Sequence, residues 1–95
     1  MLRKIVTGRF KRDFRLVSKQ GKNLIVLHDV MEMIVDEQPL PARYRDHKLT
    51  GNYIGRRECH LAPDWLLIYK LTDDAVIFER TGSPIERLMA LSLKK

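Results

Sequence analysis

The sequence predicts an α+β fold in which two N-terminal helices pack on an antiparallel β-sheet, with a short helix at the C-terminal end. Apolar residues recur at helical spacing within positions 8–36, whereas β-branched residues and alternating patterns occupy most of positions 52–81. A short β-branched segment before the first helix predicts a further strand of the sheet. With 95 residues, the chain 1–95 is expected to form a single domain around one core.

The first strand and the first helix are predicted from the opening 21 residues. The segment before Thr7 is rich in β-branched side chains, and Thr7 can cap the helix that follows by accepting from backbone N–H groups. Phe10, Phe14 and Val17 then fall on one apolar face. The opposite face is basic and carries Arg9, Arg12, Arg15 and Lys19. Gly21 is placed to end the helix, because glycine adopts the left-handed conformation of a C-terminal cap without steric cost.

A second helix is predicted over residues 23–36. Its apolar face is formed by residues at helical spacing, namely Leu24, Leu27, Met31 and Ile34. Pro39 and Pro41 lack a backbone N–H and bias their predecessors away from helix, so the helical region ends before them. Residues 37–51 are therefore expected to form an ordered loop.

The second half of the chain predicts an antiparallel meander followed by a helix. The three strands are expected over residues 52–61, 65–71 and 75–81. Tight turns at 62–64 and 73–74 connect them, because proline and aspartate favour turn conformations. The sequence S-P-I-E at 83–86 then places serine at a helix cap, proline at the first helical position and glutamate where it completes a capping box.

The charge balance indicates the chemistry of the partner. The formal net charge is +6 and the pI is about 9.8, which favours a polyanion such as nucleic acid or an acidic protein, with solubility alone as the alternative. No apolar run approaches the roughly 20 residues that span a bilayer, and the N-terminus lacks the apolar core of a secretion signal. With a single cysteine, no internal disulfide can form. A cytoplasmic protein without a membrane partner is expected.

Residues with chemical potential concentrate in the predicted meander and the loop before it. Strand alternation places Arg56, Glu58 and His60 on one face, in line. Such a row can hold a phosphodiester, with arginine on the nonbridging oxygens and histidine or glutamate moving protons. Asp64 follows in the turn and His47 precedes the strand on the loop. A solvated sheet face is the alternative interpretation.

The sequence argues against a metal site. His47 and His60 are separated by a loop and a strand, and Cys59 points away from His60 on an ideal strand. No paired-ligand spacing of the zinc type occurs. Cys59 is therefore interpreted as a small core residue. Trp65 lies at the edge of its strand, where core packing and base stacking both remain open.

Three motifs resemble the YafQ branch of the RelE/ParE toxin superfamily. They are D-H-K-L-T-G at 46–51, R-E-C-H-L-A-P-D-W-L-L-I-Y-K-L at 57–71 and F-E-R-T-G-S at 78–83. The order of predicted elements is similar from about Lys4 to Leu88. The resemblance implies a RelE-like fold and a small bacterial toxin of a type II toxin-antitoxin system. Such toxins are paired with an antitoxin and cleave mRNA in the ribosomal A site.

The resemblance also implies a set of site residues. The catalytic set comprises His47, Glu58, His60, Asp64 and Arg80. His60 is expected to be the principal acid or base, with His47 and Asp64 assisting and Glu58 orienting or sharing proton transfer. Arg80 is expected to face the scissile phosphate. Substrate-binding roles are expected for Arg56, Arg57, Lys48 and Trp65. The implied reaction is attack of the 2′-hydroxyl on its own 3′-phosphate, without cofactor or metal.

The chain departs from the family pattern in two places. Close relatives carry a histidine, assigned to proton transfer, where this chain has Pro84. They often carry phenylalanine where this chain has Leu88, and this chain then continues to Lys95. A slow nuclease is expected because Pro84 cannot transfer a proton. The alternative is a toxin-fold protein without nuclease chemistry, either inactive or inhibiting DNA gyrase as in the ParE branch. In either case an antitoxin with an acidic, partly disordered segment is expected to bind the basic surface.

Overall fold

The computed structural model describes residues 1–51 and 54–84, in which two helices pack on one face of a five-stranded sheet. In chain order the elements are β1 (Arg3–Val6), α1 (Gly8–Lys19), α2 (Leu24–Val35), β2 (His47–Lys48), β3 (Arg57–Ala62), β4 (Trp65–Leu71) and β5 (Ala75–Gly82). The strand order across the sheet is β1-β5-β4-β3-β2. Within the described ranges, no helix is both long enough and apolar enough to cross a membrane.

The sheet is mixed, whereas the sequence predicted a wholly antiparallel one. β2, β3, β4 and β5 pair in antiparallel fashion, as the tight turns between the last three require. β1 instead runs parallel to β5, with Arg3 opposite Ala75 and Val6 opposite Phe78. The local pattern identifies β1 as a strand but contains no information on its partner or direction. The α+β class is confirmed, and the direction of β1 is corrected.

Side-chain caps begin both helices. Thr7 Oγ1 accepts a hydrogen bond from the Phe10 amide at 3.0 Å and donates to the Glu79 carbonyl at 3.0 Å. Asn23 Oδ1 accepts from the Ile25 amide at 3.1 Å. Each cap satisfies a backbone donor that the first turn of a helix leaves without an intrahelical acceptor. Thr7 thereby links the start of α1 to β5, and this link places the helix beside the end of that strand.

The buried face of α1 differs from the prediction at one position. Phe10 and Val17 are buried as expected, but Phe14 faces solvent and is 39% exposed. Asp13 is buried instead, at 9% exposure. Its carboxylate binds Arg80 on β5, so the helix turns this polar side chain toward the sheet and Phe14 away from it. Placing Phe14 in the core was therefore wrong.

The loop and strand boundaries differ from the prediction where pairing between strands, and not the propensity of single residues, determines them. The loop over residues 37–51 contains a 3₁₀ turn at Ala42–Tyr44 and the two-residue strand β2, which exists through its pairing with β3. β3 begins at Arg57, five residues later than predicted. β4 has the predicted bounds and β5 ends one residue later. The predicted C-terminal helix beyond Pro84, including Leu88, lies outside the described residues.

The core lies between the helices and one face of β3, β4 and β5. The sheet contributes Cys59, Leu61, Trp65, Leu67, Tyr69, Val76 and Phe78, and α1 and α2 contribute Phe10, Val17, Leu27, Val30, Met31, Ile34 and Val35. Cys59 is fully buried, as expected for a small core residue, and burial raises the pKa of its thiol to about 12. Glu58 and His60, which alternate with these strand residues, therefore lie on the opposite face.

Candidate active site

Three side chains from β2 and β3 meet on the sheet face opposite the core. β2 pairs with β3 so that His47 lies directly opposite Glu58, and His60 follows Glu58 two positions along the same strand. His47 Nε2 lies 3.3 Å from Glu58 Oε2, and His60 Nε2 lies 3.5 Å from the same oxygen. The two rings are stacked, with centroids 5.9 Å apart. We refer to these residues as the histidine–glutamate cluster.

Solvent exposure increases stepwise across the cluster. The side chain of Glu58 is 3% exposed, that of His60 24% and that of His47 47%. A buried carboxylate is costly unless polar or positively charged groups surround it, and the two imidazoles are such groups. The carboxylate therefore forms the floor of the cluster, and the rings form its solvent side.

The orientation of His47 is set by the backbone. Its Nδ1 lies 2.6 Å from the carbonyl oxygen of Arg45. A carbonyl oxygen only accepts, so Nδ1 carries the hydrogen and donates it. Nε2 is consequently the atom that faces Glu58, and this tautomer leaves the Nε2 lone pair directed into the cluster when the ring is neutral.

Arg80 lies on the same sheet face as the cluster. It pairs in register with Ile68 on β4, which in turn pairs with Glu58 on β3, and directly opposed residues share a face. Arg80 Nε donates to Asp13 Oδ2 at 2.7 Å, and Nη2 donates to Oδ1 at 3.3 Å. Asp13 also accepts from the Thr81 amide at 3.1 Å. The guanidinium is thus held by a buried carboxylate from α1.

Sequence reasoning missed Asp13, although the pattern contained a signal for it. It is the one acidic residue of α1, and it lies three positions after Phe10 and four before Val17. That spacing places it on the buried helix face. A lone carboxylate on the apolar stripe of a basic helix indicates a buried cationic partner.

Arg56 is engaged by a carboxylate on another strand. It precedes β3 and forms an ion pair with Glu79 on β5, so the contact spans the intervening strand β4. Both side chains are partly exposed, at 28% and 19%. A guanidinium paired in this way is partly neutralised, which lowers its attraction for a phosphate.

Arg57 is not brought to the histidine–glutamate cluster. It pairs in register with Tyr69 on the core face, where its Nη2 donates to Asp46 Oδ2 at 2.8 Å. Tyr69 donates to Asp46 Oδ1 at 2.5 Å. The hydrogen bond to Asp46 raises the pKa of Arg57. Burial is the larger cause of the raised pKa of Tyr69, and the hydrogen bond of Tyr69 to Asp46 raises it further. These contacts give Arg57 a structural function that tethers the loop before β2 to the sheet.

Two further residues predicted to serve the site, Trp65 and Lys48, do not join the cluster, and the contact of a third, Asp64, is with Lys22. Trp65 is 2% exposed, and its Nε1 donates to Thr81 Oγ1 at 2.9 Å, so its ring packs in the core and presents no surface for base stacking. Lys48 is exposed, but it lies opposite Arg57 and thus on the other face of the sheet. Asp64 is in the β3–β4 turn, largely exposed and 3.3 Å from Lys22.

A surface cavity of about 470 Å³ adjoins His60. Its polar lining includes Arg43 and Arg45 beside Tyr44, and the Arg43 guanidinium lies 4.7 Å from the centre of the Tyr44 ring. A cavity with two arginines and an aromatic ring suits a nucleotide, because arginine binds phosphate and aromatic rings stack on bases. Sequence analysis did not identify these residues as part of the site.

Comparison with known proteins identifies a family that the chain matches. A family model described as the bacterial toxin of a type II toxin-antitoxin system, YafQ, matches residues 3–86. The mRNA interferase toxin YafQ of Escherichia coli (strain K12) is 44% identical over 78 residues, which cover 81% of this chain and 85% of the relative.

Two solved structures are also similar. In the crystal structure of the E. coli DinJ-YafQ complex, the similar chain has a TM-score of 0.85 and 39% identity, covering 90% of this chain and 97% of that one. The crystal structure of a copper-bound mutant toxin from Helicobacter pylori has a TM-score of 0.87 and 35% identity, covering 90% and 98%.

Proposed function

Because this chain belongs to the YafQ family of bacterial type II toxins, we propose that it is an endoribonuclease that cleaves mRNA on the ribosome in the cytoplasm. The name of the E. coli relative as an mRNA interferase supports this activity. The observation that carries the proposal is the histidine–glutamate cluster, which lies on the same sheet face as Arg80. The cluster supplies groups that transfer protons, and Arg80 supplies a fixed positive charge.

The proposed reaction is attack of a ribose 2′-hydroxyl on the adjacent 3′-phosphate. This step needs a base for the hydroxyl proton, an acid for the leaving 5′-oxygen and a positive group for the developing charge. His60 is the principal proton-transfer group, since its ring is partly exposed and borders the cavity. Glu58 shares protons with both rings through Oε2, and His47 assists from the solvent side.

Arg80 supplies the charge stabilisation in this scheme. Its contacts with Asp13 through Nε and Nη2 fix the plane of the guanidinium before substrate arrives. A preorganised cation stabilises a transition state without paying for reorientation during the reaction. Arg56 is a weaker candidate for phosphate binding because Glu79 already neutralises part of its charge.

The scheme requires no metal. The 2′-hydroxyl is an internal nucleophile and the arginine provides the positive charge, so neither nucleophile generation nor charge compensation depends on a bound cation. The products are then a 2′,3′-cyclic phosphate or a 3′-phosphate. Pro84 has no titratable group, and the enzyme is slow if the histidine that relatives carry there transfers a proton.

The partner in this proposal is a cognate antitoxin, as in the E. coli complex. The solvent-facing side of α1 is strongly basic, with Arg9, Lys11, Arg12, Arg15 and Lys19 all exposed, while its acidic residue Asp13 is buried. An acidic segment that folds on binding complements this surface in charge.

Primer extension on translated mRNA after brief induction tests the proposed activity. Cuts within coding sequence are expected for the wild type and not for His60→Ala. His28→Ala is the matched control, because His28 is exposed on α2 and contacts Asp29 instead of the cluster. Pro84 favours the second candidate, a non-cleaving toxin that inhibits DNA gyrase. Growth arrest with intact mRNA and inhibited supercoiling would establish that candidate.

A further inference from the structure

We propose that the cavity beside His60 is a subsite for one RNA nucleotide, in which the base stacks on the Arg43 guanidinium and Arg45 binds the phosphate. The volume of about 470 Å³ lies in the range of roughly 300–1,000 Å³ that is usual for small-molecule sites. The subsite is inferred from the geometry and charge of the cavity. Its place beside the scissile phosphate rests on the nuclease function proposed above.

The topology of the sheet places the cavity next to the histidine–glutamate cluster. β2 and β3 run antiparallel with His47 opposite Glu58, so residues that precede His47 lie alongside residues that follow Glu58. One wall of the cavity is therefore formed by residues 43–45, and the other by residues 60–63 at the end of β3 and in the turn after it. His60 belongs to both the cluster and the cavity lining. A nucleotide in the cavity thus adjoins the groups proposed to transfer protons.

The side chains of Arg43 and Tyr44 form a flat surface for a base. The Arg43 Cζ lies 4.7 Å from the centre of the Tyr44 ring, within the roughly 6 Å of a cation–π contact. Arg43 Nη2 also donates to Tyr44 Oη at 3.3 Å, which holds the guanidinium against the ring. Tyr44 is partly buried against the core, whereas Arg43 is exposed. One face of the guanidinium rests on the ring, and a base can stack on the other, as bases do on arginine planes.

The charges of the cavity favour a phosphate. The described residues that line it include two arginines and no acid. Arg43 and Arg45 form no ion pair with any carboxylate in the described part of the chain. Three arginines outside the cavity are each paired with a carboxylate, namely Arg56, Arg57 and Arg80. Because no carboxylate neutralises them, the two cavity arginines keep their full attraction for a phosphate.

The backbone of Arg45 connects the cavity to His47. Arg45 adopts the left-handed conformation, with φ 50° and ψ 44°, which is uncommon for a residue other than glycine. Its carbonyl oxygen lies 2.6 Å from His47 Nδ1. Backbone conformations of this kind cost free energy and are concentrated at active sites and ligand-binding sites. One residue therefore orients a proposed proton-transfer ring through its carbonyl and offers its side chain to a phosphate.

NMR titration of the whole chain with adenosine 5′-monophosphate (AMP) tests the subsite with a ligand that has no cleavable phosphodiester. Ribose 5-phosphate, which lacks the base, is the matched ligand. We expect AMP to shift the amide signals of residues 43–45 and 60–62, and to bind at least about fivefold more tightly than ribose 5-phosphate because its base stacks. Equal affinities, absence of AMP binding, or shifts confined to other surfaces would refute the subsite.

Arg43→Lys separates stacking from charge, because lysine keeps the positive charge but has no planar guanidinium. We expect this replacement of an exposed side chain to remove the preference for AMP over ribose 5-phosphate. Arg3→Lys is the control, since Arg3 is exposed on β1 at the opposite edge of the sheet from β2. Thermal melting verifies that both variants are folded. A preference that persists in Arg43→Lys would refute stacking on Arg43.

Arg45→Asn tests the phosphate contact. Asparagine tolerates the left-handed backbone conformation but has no charge. We expect this variant to bind AMP and ribose 5-phosphate more weakly by the same factor, because both ligands carry the phosphate. Undiminished binding of both ligands would refute the assignment of Arg45.

Single-turnover cleavage of a defined RNA tests the place of the subsite beside the scissile phosphate. We expect Arg43→Lys to lower the rate at subsaturating protein at least about fivefold, and Arg3→Lys to leave it unchanged. Undiminished cleavage by Arg43→Lys would refute that place. AMP binding at the subsite by a protein that cleaves no RNA under any condition would uphold the subsite, and would refute both the proposed nuclease function and the place of the subsite in it.

Discussion

Asp13 on α1 and Arg80 on β5, 67 positions apart in the chain, form a two-point ion pair with N···O distances of 2.7 and 3.3 Å. The same carboxylate accepts from the backbone amide that follows Arg80 in β5. Asp13 therefore holds both the side chain and the backbone at this end of the strand. The position of the proposed phosphate-binding arginine depends on the packing of a helix against the sheet.

Asp13→Asn is expected to weaken both folding and cleavage. The amide keeps the size of the side chain but removes the charge, so Arg80 loses its ion pair with Asp13 and the protein loses about 1–3 kcal/mol of stability, measured by urea unfolding. Because the guanidinium is no longer fixed, we expect kcat to fall more than KM rises. Asp29→Asn, at an exposed position of α2, is the control. A stability loss with unchanged kcat would show that Asp13 does not position Arg80 for catalysis.

Pro84→His is expected to raise the cleavage rate at least tenfold, since general acid–base catalysis commonly contributes about 10²–10⁴ in rate. The helix predicted to begin at Pro84 would favour a nearby phosphate by only about 0.3–1 kcal/mol when exposed. This gain is too small to compensate for the missing proton transfer. His60→Ala is expected to abolish cleavage in both backgrounds. Single-turnover kinetics on a defined RNA measures these rates. Wild-type cleavage as fast as in histidine-bearing relatives would indicate that His47 or Glu58 already performs the transfer.

The RNA products are expected to end in a 2′,3′-cyclic phosphate or a 3′-phosphate, and cleavage is expected to persist in the presence of chelator. Both follow from attack by the internal 2′-hydroxyl with charge stabilisation by arginine. Mass spectrometry of the fragments identifies the ends. A 3′-hydroxyl product, or loss of activity with chelator, would require metal-assisted chemistry instead.

Antitoxin binding is expected to weaken as the salt concentration rises. The exposed side of α1 is basic, and dissolved ions screen its attraction for an acidic segment. Arg12→Glu with Arg15→Glu is expected to reduce affinity by at least tenfold in titration calorimetry. Lys4→Glu, an exposed charge reversal on β1, is the control. An affinity that depends neither on salt nor on these α1 charges would place the antitoxin on another surface.

Stability is expected to fall between about pH 9 and pH 12. Burial raises the pKa of the Cys59 thiol from 9.0 to about 12, so the unfolded chain releases this proton first. The stabilising contribution is therefore complete below pH 9 and decreases as pH rises, by about 1.4 kcal/mol per pH unit. Urea unfolding at a series of pH values measures the slope. Cys59→Ala removes this contribution, so an identical slope in that variant would contradict the assignment.

Elements that depend on near neighbours could be predicted from the sequence. Thr7 caps the first helix as predicted, and β4 has the predicted bounds. These features depend on residues within a few positions, such as a side-chain oxygen that reaches the next helical turn. The alternation of Glu58 and His60 with Cys59 likewise identified two members of the cluster, because strand geometry sends alternate side chains to opposite faces.

The tertiary structure alone decided which distant residues meet. Sequence pattern was sufficient to predict the two N-terminal helices, the β3–β4 and β4–β5 turns and the face shared by Glu58 and His60, since capping and periodicity act over short distances. It could not determine that β1 runs parallel to β5, that Asp13 binds Arg80, or that His47 lies 3.3 Å from Glu58. Those contacts join residues separated by up to 72 positions, and they form because packing the helices on the sheet brings these strands and charged side chains within reach of one another.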